Sequence, residues 1–307
     1  MDGVLHTLAD AGEQFGRVDA RLVAVALALH VANHLLRSLA WRNVLMAAYP
    51  QQRIPLPGIA SAYAVGVALN AVVPGRGGDA AKLALARAQI EQSSVTTIAS
   101  TMAVVACFDL AAATVIVLCV CVTGALPFAP SLPVPGSASW PLIALAGGAA
   151  AIGGALIARR LRAPLARLRE QARLGGAILR TPGRYVRRVA ALQACAWACR
   201  IAVVTLLLHA FGLQAGVTTA ALVMVLCGAS TLVPLTPGGA GTQQVMLAYA
   251  LGQAAGAGVV LSFSVGMQVG VTAVNAVLGV AAAMFAFRTI RPMIAIRSGL
   301  NVARAAD

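Results

Sequence analysis

Long apolar runs, broken at short polar or proline-glycine positions, set the plan of this chain. Residues 1–20 are polar, with Asp2, Asp10, Glu13 and Asp19, and predict a short amphipathic segment. An apolar run from Leu22 to Met46 follows, long enough to cross a bilayer as a helix. Its polar residues His30, Asn33, His34 and Arg37 recur at helical spacing and predict one polar stripe. The next apolar stretch, Ile54 to Val73, ends at Pro74-Gly75. A short amphipathic helix is expected from Asp79 to Glu91. Further apolar segments run over Ser94–Val122, Trp140–Ala158, Ala190–Phe211, Thr218–Val233, Thr242–Ala257 and Val259–Phe287. Trp140–Ala158 ends at the arginine-rich stretch, and Thr218–Val233 ends at a second break around Pro237-Gly238.

Composition turns these runs into membrane spans. The chain has 307 residues, of which 60% are hydrophobic and only 10% charged. A soluble domain carries about 25% charged residues. No charged residue lies between Leu110 and Ala158, and only Arg200 lies between Val189 and Phe287. The expected fold class is therefore an all-α polytopic membrane protein. We expect about six full spans plus two re-entrant helical hairpins forming an inverted repeat, with eight spans as the alternative.

Charge sets the expected orientation. The net charge is +14, and ten arginines against one acid fall between Arg159 and Arg188. A short basic loop between spans marks the cytoplasmic side. Nucleic acid carries little weight as a partner and none is expected, because Tyr185 is the one aromatic residue among these arginines. The uncharged loop Pro127–Gly136 is then extracytoplasmic. Arg37, Arg42 and Arg53 precede the first break, and Arg76, Lys82 and Arg87 follow it. With both sets inside, residues 54–91 enter and leave by one face. Residues 218–257 start and end outside by the same count. The expected organisation is a polar segment 1–20, one membrane domain 21–290 and a basic cytoplasmic tail 288–307. Within the domain, half one is 21–158, the cytoplasmic arginine loop is 159–188 and half two is 189–287. A bacterial-type cytoplasmic (inner) membrane with a cytoplasmic C-terminus is the expected location.

The two breaks are the candidate chemistry. Proline ends the incoming helix and glycine permits the turn. The next helix then offers free N–H groups and a positive dipole end to an anionic group. Pro74, Gly75 and Arg76 form the first turn, with Lys82 nearby; Pro237, Gly238, Gly239 and Gly241 form the second. Tight turns between ordinary helices are the structural alternative. Asp109 and Arg200 are the charges deepest in apolar sequence, either marking a path or pairing with one another, or with polar side chains, for stability. For the stripe of the first span, helix–helix hydrogen bonding is favoured over a metal site, with Arg37 snorkelling. Gln243, Gln244, Gln268 and Asn275 line the same cavity or join helices. Gly252-x-x-x-Gly256 and Gly266-x-x-x-Gly270 are weak close-packing signals. The six cysteines read as small hydrophobes in a packed bundle rather than disulfides or ligands. No metal or organic cofactor is expected, and no nucleophile or metal-pair motif points to an enzyme.

At these residues the chain resembles the flippase-like membrane family, the transmembrane region of lysylphosphatidylglycerol synthases and its stand-alone relatives. The matching elements are Arg37-Ser-Leu-Ala40-Trp41-Arg42; Asn70, Pro74, Gly78, Asp79 and Lys82; and Val233-Pro234-Leu-Thr236-Pro237-Gly238-Gly239-Ala-Gly241. They cover roughly residues 20–290. Three departures stand out. Gln243-Gln244 replaces an acid, Gln268 a base, and Val105-Ala106 a Glu-Arg pair. The soluble aminoacyl-transfer domain is absent from the sequence given, so synthase activity is not expected.

The resemblance implies movement of an anionic or zwitterionic phospholipid, or of a lipid-linked precursor, between leaflets. The substrate-binding set it implies is Asn70, Pro74, Gly75, Arg76, Gly78, Asp79, Lys82, Pro237, Gly238, Gly239, Gly241 and Gln244. Arg37, Asp109 and Arg200 would stabilise or gate the cavity. Two other readings stand beside it: a secondary transporter of a small anion, and a non-transporting scaffold for a lipid- or glycan-modifying enzyme. The orientation has a direct check. Single cysteines at positions 75 and 238, in a background without the native six, should be labelled from opposite faces of the membrane; labelling from one face overturns the inverted arrangement.

Overall fold

The computed structural model describes Glu13, residues 15–72, 77–122, Glu170, residues 173–213, 215–230 and 241–306. Every described element is a helix. They are α1 (Ala20–Ala48), α2 (Leu56–Val72), α3 (Gly77–Gln89), α4 (Val95–Val122), α5 (Ala191–Ala210), α6 (Val217–Ser230), α7 (Thr242–Ala255) and α8 (Ala257–Ala306). A helical turn at Pro182–Tyr185 and a wider turn at Val186–Ala190 lead straight into α5. Helices are what lipid permits, because each satisfies its backbone internally.

Among the described residues four helices are long and apolar enough to cross a membrane: Ala20–Ala48, Val95–Cys121, Pro182–Ala210 and Ala257–Ala286. Leu56–Val72 and Val217–Ser230 are apolar but shorter. The segment expected at 140–158, the proline-rich loop and residues 1–12 lie outside the described residues, as do Pro74, Gly75, Arg76, Pro237, Gly238 and Gly239 at the breaks.

Side-chain caps and ties fix the order of the bundle. Asp19 Oδ1 accepts from the amides of Arg21 (2.8 Å) and Leu22 (3.3 Å) and so starts α1. The Asp19 amide donates to Ala210 O at 3.0 Å, placing the start of α1 at the end of α5. The opposite end gathers the other termini. Arg42 Nε donates to Ile54 O (2.7 Å), Gln52 Nε2 to Glu91 O (2.6 Å), Asn43 Nδ2 to Arg188 O (2.7 Å) and the Ser94 amide to Tyr49 Oη (3.2 Å). The pair α2–α3 therefore begins and finishes at the end that carries Arg42, Arg53, Arg87 and Arg188. The pair α6–α7 begins and finishes at the other end: α6 follows α5 there, and α7 passes into α8 through Gly256, whose φ is +81°. Phe211, at that end, stacks edge-on against Phe15 and Phe263, at centroid distances of 5.8 and 6.0 Å.

The α2–α3 pair is antiparallel and close enough that only glycine fits along its seam. A Cβ on Gly78 would sit 2.0 Å from Gly66 O and 2.7 Å from Asn70 Oδ1; one on Gly58 would sit 1.9 Å from Gln89 Oε1. α2 has 17 residues and α3 has 13, so they extend about 25 and 20 Å, short of a hydrocarbon core about 30 Å thick. α8 crosses α2 just as closely, since a Cβ on Gly279 would meet Ala68 Cβ at 2.3 Å. The weaker glycine signals resolve differently. Gly266 faces the Phe211 ring, Gly256 ends a helix with nothing within 4 Å, and Gly270 has only Leu27 at 3.7 Å. These three therefore do not act alike: sequence spacing alone does not separate a packing glycine from a terminating one.

The apolar core divides in two. One cluster holds Ala26, Leu207, Phe211, Val223, Leu247 and Phe263; the other holds Trp41, Leu45, Ile59, Ile90, Ile98 and Val189. On α1 the interval between Ala26 and Ala40 is the polar stripe, so the stripe lies between the two half-cores. Leu110, Val115, Val217, Val269 and Val277 are exposed on the outside, as expected of helices facing lipid. The cysteines depart from the expected packed positions: Cys107, Cys119, Cys121 and Cys195 are exposed, and none is in a disulfide. On a lipid-facing surface a small apolar thiol needs no packing partner.

Gly78→Ala should destabilise the protein by about 1–3 kcal/mol, because the obstructing atom is backbone and cannot move aside. Gly183→Ala, where a Cβ meets nothing within 4 Å, should stay within about 0.5 kcal/mol of the parent. Thermal unfolding in one detergent compares the two.

Candidate functional site

A cavity of about 510 Å³ occupies the space between the half-cores. Residues of α1, α2, α5, α6, α7 and α8 line it, among them His30, Asn33, His34, Arg37, Tyr63 and Arg200. The stripe on α1 is thus a wall of the cavity as well as a helix contact. Its residues face inward because outside the bundle they would meet lipid.

The central feature is an ion pair. Arg37 Nη2 donates to Asp109 Oδ2, joining α1 to α4. Arg37 Nε donates to Tyr63 Oη of α2 at 2.7 Å, and Trp197 Nε1 of α5 donates to Asp109 Oδ1 at 3.0 Å. Each charge is therefore hydrogen-bonded beyond its partner, which is the condition under which a desolvated pair is tolerated. Two expectations are corrected here. Arg37 does not snorkel to an interface, because a carboxylate and a phenol hold it within the bundle. Asp109 pairs with Arg37 and not with Arg200, since Arg37 approaches from α1 on the side that Trp197 leaves free. Arg200 instead holds its guanidinium over the Trp197 ring, 5.3 Å from the centroid.

A second polar group joins α1 to α8. Asn275 Oδ1 lies 3.0 Å from His30 Nε2 and 2.9 Å from His34 Nε2, and the two Nε2 atoms are 3.0 Å apart. The expected interhelical bonding by this stripe is present. Among the described residues no group of three His, Cys, Asp or Glu side chains is placed to hold a metal.

The first break contributes three side chains that act together. Asn70 Oδ1 accepts from the Gly78 amide at 2.8 Å and its Nδ2 donates to Asp79 Oδ1 at 3.4 Å. Asn70, at the end of α2, thereby caps the start of α3 across the turn. Lys82 lies with Nζ 4.4 Å from the centroid of Tyr63 and 5.3 Å from that of Trp41. Trp41 itself donates to Thr101 Oγ1 at 3.0 Å. Contacts thus run from Lys82 through Tyr63, Arg37, Asp109 and Trp197 to Arg200, linking the break to the cavity wall.

At the second break Gly241, with φ of +86°, starts α7. Its amide donates to Gln244 Oε1 at 2.7 Å, and Gln244 Nε2 donates to Gln268 Oε1 of α8 at 2.5 Å. Gln243 and Gln268 line the cavity. The two glutamines that the resemblance marks as replacing an acid and a base are therefore in contact with one another. Tyr63 and Trp197 were not singled out in the sequence. Only the long-range partners Arg37 and Asp109 give them meaning, and an aromatic in an apolar run carries no signal of its own.

Arg37→Met leaves the Asp109 carboxylate with Trp197 as its remaining partner and should cost roughly 3–5 kcal/mol. The double variant Arg37→Met with Asp109→Leu should lose less than the sum of the two singles. Unfolding of all four proteins in the same detergent gives the cycle; simple additivity would show that the pair contributes no mutual stabilisation.

No curated protein matches the chain, and neither does any solved structure. Residues 5–292 match the family described as Lysylphosphatidylglycerol synthase TM region. Four helices able to span a membrane and a polar cavity between two apolar half-cores agree with that match, and the chain belongs to this family of membrane domains.

Proposed function

We propose that this protein moves an anionic or zwitterionic phospholipid, or a lipid-linked precursor, between the leaflets of a bacterial-type inner membrane. The observation that carries the reading is the cavity between two apolar half-cores, with His30, Asn33, His34, Arg37 and Arg200 on its wall. Such a cavity gives a headgroup a polar route while the acyl chains stay in lipid. Arg200, exposed and on the cavity wall, places a cation where a phosphate would pass. Next to the cavity a separate apolar pocket of about 430 Å³, lined by Phe15, Leu27 and Phe211 among others, shares Met267 with it. That pocket suits an acyl chain.

In this reading α2–α3 and α6–α7 are re-entrant hairpins of an inverted repeat. Residues that flank their breaks, Val67 and Ala71 of α2 and Gln243 of α7, line the cavity. The arginine-bearing end of the bundle is cytoplasmic. The protein performs no covalent chemistry, and the membrane phospholipids themselves are its partners.

Reconstitution into liposomes with head-labelled phospholipids tests the reading. Label in the inner leaflet should become accessible to a membrane-impermeant quencher faster than in empty vesicles. Arg76→Gln should slow this about tenfold, the effect of one charge-assisted hydrogen bond. No movement of any phospholipid above empty vesicles overturns the proposal. Uptake of a small aqueous anion with no lipid movement would favour a solute transporter.

A further inference from the structure

Three polar atoms converge between α1 and α8, and no arrangement of hydrogens satisfies all their contacts. His30 Nε2 lies 3.0 Å from His34 Nε2 and 3.0 Å from Asn275 Oδ1, and His34 Nε2 lies 2.9 Å from Asn275 Oδ1. A ring nitrogen either carries a hydrogen or presents a lone pair, and an amide oxygen only accepts. A hydrogen bond between the imidazoles needs one bare nitrogen, which then faces the Asn275 oxygen as a second acceptor. With hydrogens on both nitrogens, both donate to Asn275 and the two N–H groups repel one another. Exchanging the oxygen and nitrogen of the Asn275 amide leaves one like pair again. Two of the three contacts can be hydrogen bonds at once; the third is always repulsive.

A Lewis acid held by all three atoms removes the conflict, because each offers it a lone pair. The spacing suits such an ion. Two ligands at right angles, each about 2.1 Å from one ion, lie about 3.0 Å apart, whereas tetrahedral ligands lie about 3.4 Å apart. The three atoms thus outline one face of an octahedron. His30 and His34 stand at the i, i+4 spacing by which two histidines of one helix share a metal. Their rings meet edge-on, at 78° and a centroid distance of 4.5 Å. The third ligand, Asn275, lies 241 residues beyond His34, so spacing along the chain conceals it. All three residues line the cavity, which leaves the remaining positions of the ion to water.

The ligand set also selects the ion. Two imidazoles suit a first-row transition metal, while Mg2+ and Ca2+ take oxygen ligands throughout. All three ligands are uncharged, Asp109 is engaged by Arg37, and Arg200 lines the same cavity. The ion therefore keeps its full charge beside a cation, which limits its affinity. His34 Nδ1 has no hydrogen-bond partner among the described residues, whereas firmly held metals have ligating histidines anchored through the second ring nitrogen. Both features describe an exchangeable ion and not a permanent one.

We infer that His30, His34 and Asn275 bind one divalent first-row transition-metal ion, which ties α1 to α8. The inference goes beyond the translocation reading and does not rest on it: a protein that moves no lipid can bind the ion.

Ni2+ is the probe and Mg2+ the control, on the untagged full chain in detergent. The background lacks the six cysteines, His6 and His209, so that His30 and His34 are the imidazoles present. Titration calorimetry should show one Ni2+ per chain, and saturating Ni2+ should raise the unfolding temperature. Mg2+ should do neither. His30→Gln and His34→Gln should each weaken Ni2+ binding at least about tenfold. Asn275→Asp supplies a negative ligand and should tighten it at least about tenfold. That gain separates a ligand from a partner that only holds two helices together, and circular dichroism with chelator present shows that each variant is folded. The inference is overturned by no saturable Ni2+ binding up to about 1 mM, by an affinity unchanged in both histidine variants, or by Asn275→Asp binding no more tightly than its parent.

Discussion

The charged contact between Arg37 and Asp109 stands at the middle of the bundle, where lipid surrounds the helices and the dielectric is low. Placing either charge there alone would cost several kcal/mol, by the rough scale of desolvated ions. The two are stable together because Tyr63 and Trp197 satisfy a second direction on each. The four residues come from α1, α2, α4 and α5, so one interaction fixes the mutual rotation of four helices. The polar stripe of α1 must face inward once Arg37 does, and His30 and His34 then meet Asn275 on α8. Two apolar half-cores with a polar cavity between them follow from that one constraint.

Close backbone approach supplies what the charges do not. Gly66 and Gly78 let α2 and α3 touch along their length, and Gly279 lets α8 lie against Ala68. Tyr63 is carried on α2, so its reach to Arg37 depends on how near α2 can come. Asn70 adds the cap that closes the α2–α3 seam. The motif residues Asn70, Gly78 and Asp79 are therefore accounted for by geometry within the hairpin. Lys82 turns to Tyr63 and Trp41, which ties the same hairpin to the aromatic rim of the ion pair.

Much of this was legible in the chain beforehand. The charge-free stretches identified membrane helices, and the alternation of arginine-bearing and uncharged connections placed α2–α3 and α6–α7 at opposite ends. The polar stripe of α1 and the roles open to Gln268 and Asn275 could also be read from spacing. What could not be read is pairing across long separations. Asp109 has two arginines within apolar sequence as possible partners, and only the packing of α1 beside α4 selects Arg37. Tyr63 and Trp197 gave no signal because an aromatic residue in a span is ordinary until its polar atom has a partner. The turns at Pro74–Arg76 and Pro237–Gly239 lie outside the described residues, so the breaks are known by their flanks.

The described polar contacts that hold the two hairpins differ in kind. The first is held through Tyr63 to a fully hydrogen-bonded ion pair, through Asn70 to its own second limb, and by glycine contacts to α8. At its own break the second is held to α8 by the Gln244–Gln268 amide bond, and interhelical hydrogen bonds of this kind average about 0.6 kcal/mol in membranes. An acid and a base at those two positions would form an ion pair; two glutamines keep the contact and lose the charge together. Because both charges are absent, the substitution leaves the net charge of the cavity unchanged. The contact on the α7 side is thus a neutral one, beside the apolar packing of Leu247 and Leu251 in the same half-core as Phe263.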